Sequence, residues 1–209
     1  SQLNKSNLKN ILNLLLKRND LPHDELIRAF NFLYTDEIIS NLEKLDSDFS
    51  KIELLANETV IINALKKITF KDIRLEKVLT NARKYICDRI TQSKEKISYS
   101  QLQFIIALGE QCFLNEYVYS FTEEEESSLN IIINRCIDGE LNEKNISILS
   151  CYYTLYKLLN QIPSLKSFNS SNQSFIELIE LQITEPLKEI ELSQRIKKLG
   201  PINDDVSQK

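Results

Sequence analysis

The chain has almost no punctuation: Gly109, Gly139 and Gly200 are its only glycines, and Pro22, Pro163, Pro186 and Pro201 its only prolines. Strands joined by tight turns need many such residues, so this scarcity argues for helices. Between the breaks, apolar residues recur at helical spacing. Leu8, Ile11, Leu12 and Leu15 predict an amphipathic helix over 7–18. Asp20, with Pro22 in the first turn, is expected to cap a second helix with Leu26, Phe30 and Leu33 on its apolar face. Thr35, followed by Asp36 and Glu37, is expected to cap a third, with Ile38, Leu42 and Leu45 inward. Ser47 to Ser50 reads as a polar break.

A helical stretch over 51–67 should be interrupted at Asn57. Asp72 caps a long helix over 73–91, with Leu75, Val78, Leu79, Ala82, Ile86 and Ile90 as its stripe. Ser98 with Gln101 forms a capping box for a helix reaching Asn115 or Tyr119, and Thr122 with Glu125 forms another. The latter helix runs through Leu129, Ile132, Ile133 and Cys136 to a C-terminal cap at Gly139. Residues 142–160 read as one helix with Ile146, Leu149, Tyr153, Tyr156 and Leu159 inward. Residues 163–172 read as a loop, 173–184 as a helix with a shorter one after Pro186, and 199–207 as extended and polar. The expected fold is all-α, a multi-helix bundle or irregular helical array of about eight to ten helices of ordinary length. Residues 1–50 form an N-terminal helical segment, 51–198 the main helical domain and 199–209 a linker. No 34-residue tetratricopeptide spacing is present.

An apolar fraction of 42% and a charged fraction of 27% in 209 residues fit an ordinary globular protein, long enough for one large domain or two small ones. The net charge of −4 comes from intermixed acids and bases. Lys66-Lys67 and Lys197-Lys198 are pairs rather than a basic stripe, which argues against nucleic acid. The apolar runs are too short to span a bilayer, and residues 1–20 lack a secretory signal's continuous apolar stretch, so a cytoplasmic chain with no membrane partner is expected. Cys87, Cys112, Cys136 and Cys151 are widely spaced, form no C-x-x-C pair and are joined by a single histidine, His23. That argues against zinc and for buried thiols.

The densest local signal lies between Phe104 and Glu126. An apolar helix runs into a polar and aromatic cluster, Gln111, Asn115, Glu116, Tyr117 and Tyr119, and a new helix opens at Thr122. An apolar face explains Ile105, Leu108 and Cys112, and Phe113 is expected inward beside Cys112. The cluster has three readings. It satisfies backbone groups at a helix junction, it forms a docking surface, or Glu116 acts as a general base. The last lacks an accompanying nucleophile, histidine or metal ligand. Glu123–Glu126 reads as a first turn complementing the helix dipole. Tyr152, Tyr153 and Tyr156 read as an aromatic core face, and Asp204-Asp205 as a solvated terminal pair.

The wording of Phe104–Glu126 resembles a helical region of bacterial proteins that join tetratricopeptide repeats to a class I S-adenosylmethionine-dependent methyltransferase domain. The run Leu65 to Leu79, with Leu75 to Arg83, is similar to a helix of that region that ends in a short turn and is followed by an Asp-capped helix. Ile183–Leu187 is similar to its end, and Pro201–Ser207 to the linker that follows. The resemblance covers roughly 53–207 and implies a place just upstream of the catalytic fold. The chain would then be a fragment ending at a domain boundary, or a natural stand-alone version. The resemblance transfers no catalytic residue. The glycine-rich loop and βα alternation that a class I methyltransferase uses to hold its cofactor are absent from these residues. S-adenosylmethionine is therefore implied only for a downstream domain, with no cofactor or metal expected in this chain.

The expected function is thus a non-catalytic accessory or interaction domain of a methyltransferase-type protein, with the neighbouring methyltransferase domain or a partner protein bound to it. The alternatives are a stand-alone helical protein-protein interaction module and a small-molecule-binding helical bundle.

Overall fold

The computed structural model describes residues 2–92 and 96–198. Among them the regular structure is entirely helical. The helices are α1 (Gln2–Leu16), α2 (Ile27–Leu42), α3 (Lys51–Ala56), α4 (Thr59–Lys67), α5 (Ile73–Gln92), α6 (Tyr99–Leu114), α7 (Glu123–Ile137), α8 (Glu143–Ser150), α9 (Gln173–Ile179) and α10 (Glu185–Lys198). The segments expected over 199–209, including the linker Pro201–Ser207 and Asp204-Asp205, lie outside the described residues.

Consecutive long helices alternate between two layers. Helices α1, α4, α6 and α8 pack side by side in one, and α2, α5 and α7 in the other. Short α3 sits against α2, α4 and α6, and α9 packs on α6. Successive members of the first layer, α4, α6 and α8, begin about 40 residues apart, a spacing typical of stacked helical pairs. One buried apolar cluster runs from Leu12 to Ile183. The segment 1–50 shares it, α1 resting on α4 and α2 on α5.

Helix α6 is the centre of the array. Its residues 104–112 are all buried, the signature of a helix packed on every side. Gly109 allows the close approach of α8: a Cβ there would stand 2.0 Å from the Ser150 hydroxyl oxygen. Local signals start the elements as expected. Both reciprocal capping boxes form, at Ser98/Gln101 and at Thr122/Glu125. Asp72 accepts a hydrogen bond from the Arg74 amide at 2.8 Å. All four cysteines are free and buried.

Several elements differ from the sequence reading. Thr35 caps nothing: it is buried within α2, which runs unbroken from Ile27 to Leu42, and its hydroxyl donates to Asn31 Oδ1. Apolar contacts on both sides of the position carry the helix through the local stop signal. Asp20 is engaged with Arg18, and Pro22 precedes a 3₁₀ turn, His23–Leu26, instead of opening a helix.

Residues 142–160 are not one helix. Helix α8 stops at Ser150, and a 3₁₀ turn, Leu155–Leu158, follows. The inward set shifts accordingly to Tyr152, Leu155 and Leu158, leaving Tyr153, Tyr156 and Leu159 half-buried. Pro186 begins no new helix. Helices α9 and α10 are continuous through a π turn, Glu180–Thr184. Proline has no N–H to bond the carbonyl four residues back and would clash with it, and a wide turn immediately upstream relieves both problems. Ile11, expected inward on α1, is 53% exposed, while Leu12 and Leu16 are buried.

Candidate functional site

The five residues singled out between Gln111 and Tyr119 come together at the C-terminus of α6, and four of them serve the junction. Gln111 is fully buried, with its amide turned so that the nitrogen donates to Leu65 O at 2.8 Å and Ile68 O at 3.0 Å. Those carbonyls belong to the end of α4, so Gln111 supplies partners a helix terminus lacks. Asn115 is the C-cap, its N–H bonded to Gln111 O, and its side-chain amide atoms are buried without a hydrogen bond. Tyr117 donates from its hydroxyl to Ser150 O at 3.2 Å, and its ring meets Phe113 edge-on. Tyr119 is buried, and burial pushes its phenol pKa up.

The backbone here is a two-bond helix stop. Glu116 N–H bonds Phe113 O at 3.0 Å and Tyr117 N–H bonds Cys112 O at 2.9 Å. Glu116 and Tyr117 both lie in the left-handed region, with φ of 56° and 58°. Helix α7 ends in the same motif, with Gly139 at φ 102°, its N–H bonded to Cys136 O and the Glu140 N–H bonded to Arg135 O. Glycine adopts this conformation without strain, whereas a side chain costs about 1 kcal/mol or more. Glu116→Gly is therefore expected to raise stability by about 1 kcal/mol, read as a higher urea midpoint. An unchanged or lower midpoint would show that the Glu116 side chain holds the fold.

The Glu116 side chain is exposed and edges an open groove of about 460 Å³ lined by Phe113, Leu114, Glu116, Tyr117, Thr154 and Lys157. Phe113, expected in the core beside Cys112, forms part of this groove and is only half-buried. It lies one step around the helix from the fully buried Cys112, and the long run of buried residues ends there. Neither Glu116 nor Lys157 makes an ion pair with any described residue. The next residue but one after Glu116, Val118, is 67% exposed.

Behind the junction lies a buried ionic network that the sequence reading does not contain. Arg83 of α5 is 1% exposed and Glu125 of α7 2% exposed. Arg83 donates to Tyr119 O at 3.3 Å and Ser120 O at 2.8 Å, and stands 3.5 Å from Glu125 Oε1. Its guanidinium carbon lies 4.2 Å from the centre of the Tyr152 ring. The Tyr152 hydroxyl donates to Glu125 Oε1 at 2.7 Å, and Glu125 Oε2 accepts from the Thr122 amide. Glu125 therefore does more than complement a helix dipole: it joins the capping box to the core. Its neighbour Glu124 pairs with Lys84 on the surface. Burial next to this network pushes the Cys87 thiol up to about 12.

A second acid, Glu110, lies on α6 at 6% exposure. Lys66 Nζ of α4 stands 3.1 Å from it and 3.2 Å from Glu177 of α9. Burial raises the Glu110 carboxyl to about 7, Lys66 and Lys67 acting to lower it and Glu177 to raise it. The folded state thus holds a proton that the unfolded chain releases near pH 4.5. Stability from this group is fully present below that value and is lost as pH rises toward 7, by about 3 kcal/mol in all. Urea unfolding from pH 5 to 7.5 should show this fall, and Glu110→Gln should flatten it. A fall that persists in Glu110→Gln would assign the titration elsewhere.

Among the described residues no group of three His, Cys, Asp or Glu side chains is placed to hold a metal ion, and no helix is long and apolar enough to cross a membrane. Comparison of the chain with known protein families, with curated proteins and with solved structures finds no match.

Proposed function

We propose that this chain is a non-catalytic helical accessory domain that docks another protein domain, the partner suggested by the sequence resemblance being a methyltransferase domain. The observation that carries the reading is the two-layer array itself. Helices stacked in alternating layers offer long side surfaces, and proteins built this way use those surfaces to hold partners. The buried polar groups are consistent with a scaffold, because Arg83, Gln111 and Gln182 all bond backbone carbonyls of other elements. S-adenosylmethionine chemistry belongs, on this reading, to the partner.

The test is calorimetric titration of the chain, first with S-adenosylmethionine and then, where the coding sequence continues past Lys209 into a glycine-rich βα unit, with that domain. No heat with the cofactor and saturable binding of the domain are expected. Micromolar cofactor binding by the chain alone, or a coding sequence with no glycine-rich βα unit beyond Lys209, would overturn the reading.

A further inference from the structure

We propose that the groove at the end of α6 is a peptide-binding site, and that it takes a linear segment in which an apolar or aromatic residue is flanked by one cationic and one anionic side chain. The proposal deepens the docking function inferred above and rests on it. Three observations meet at this place. The floor is apolar and aromatic, from Phe113, Leu114 and Tyr117. Glu116 and Lys157, opposite in charge, both line the groove. Both are exposed and without an ion-pair partner among the described residues, whereas Lys66, Lys84 and Arg83 each face an acid.

The third observation is the backbone at Glu116. A carboxylate occupies a position of the helix stop where glycine would be better tolerated, as Gly139 is at the end of α7. Strain of this kind persists where surrounding structure imposes it, and it clusters at binding surfaces. Here the left-handed turn is fixed from behind. Tyr117 is tied to Ser150, and Arg83 holds the carbonyls of Tyr119 and Ser120. The Glu116 carboxylate is thereby presented on a rigid cap, which lowers the entropy lost when a partner's cation meets it. Lys157 presents the opposite charge from the 3₁₀ turn after α8. A segment lying across the floor would place its cation at Glu116 and its anion at Lys157. Complementary charges of this kind fix register and direction more than raw affinity.

Phage-displayed random linear peptides, selected on the intact chain, test the proposal. The expected winners carry a basic and an acidic residue on either side of an apolar or aromatic one. Anisotropy titration of a winning peptide should show at least tenfold weaker binding to Lys157→Glu. Glu116→Gly gives the sharper readout, since it should be the more stable protein and yet the weaker binder. The charge-swapped double variant, Glu116→Lys with Lys157→Glu, should select peptides with the charges reversed, and its melting temperature serves as the folding control. Winners that bind all these variants equally, or no enrichment at all, would overturn the groove as the site. The titration with the downstream domain is independent of peptide selection, so the groove and the docking function can fail separately.

Discussion

Glu125→Ala is expected to destabilise the protein by about 3–5 kcal/mol, a large part of the stability of a domain this size. The loss has little to do with a favourable Coulomb term. Removing the carboxylate leaves the Arg83 guanidinium at 1% exposure with no acid beside it, only the carbonyls of Tyr119 and Ser120 and the rings of Tyr119 and Tyr152. It also strands the buried Tyr152 hydroxyl and breaks the capping box at Thr122. Removing both charges tests this account. Arg83→Met with Glu125→Leu should recover much of the loss, because apolar residues of similar volume often replace a buried pair at little cost. Urea unfolding of the two singles and the double closes the cycle. A loss under about 1 kcal/mol for Glu125→Ala, or a double variant worse than either single, would show that water reaches the site and the charges are not desolvated.

What could be read in the sequence was local. The Ser98/Gln101 and Thr122/Glu125 boxes, the Asp72 cap, the break at Asn57 and the stop at Gly139 involve residues within a few positions of each other, and all formed. The stripe of α5 is fully buried for the same reason, since helical period alone places it. Thr35 shows the limit of such signals, because its helix is held by contacts that a cap preference of about 1 kcal/mol cannot override. The polar cluster was visible as a density of residue types, but its division of labour was not. Gln111 serves a different helix, Tyr117 serves a third, and only Glu116 is left facing solvent. A glutamate where glycine is usual gives no sequence hint of a left-handed turn. Arg83, Glu110, Tyr152 and Gln182 have partners distant in the chain, which no local pattern reveals. An arginine in an amphipathic helix reads as solvated until another helix is seen to cover it.

The early end of α8 is the clearest case, and Gln182 is expected to be its cause. This side chain, fully buried in the π turn, donates from Nε2 to Gly109 O at 3.1 Å and Ser150 O at 3.3 Å. Its Oε1 accepts from the Leu155 amide at 3.4 Å. One glutamine thereby joins α6, the last turn of α8 and the 3₁₀ turn after it. The Ser150 carbonyl, which a continuing helix would have used internally, is shared with the Tyr117 hydroxyl. The close approach across Gly109 is what brings these backbone groups within reach of one side chain. Gln182→Met keeps the volume and removes the hydrogen bonds. Ser150 O keeps the Tyr117 hydroxyl and Gly109 O lies inside α6, so the buried Leu155 amide is the group left without a partner, and the variant should lose about 1–3 kcal/mol. The loss should be uneven. Hydrogen exchange should accelerate most at Leu155 and the turns after Ser150, and least in α5, to which Gln182 makes no hydrogen bond. Gln182→Glu should be no better at neutral pH, since a carboxylate cannot donate to two carbonyls. A Gln182→Met protein with unchanged urea midpoint and unaltered exchange at Leu155 would mean that apolar packing alone stops α8 at Ser150.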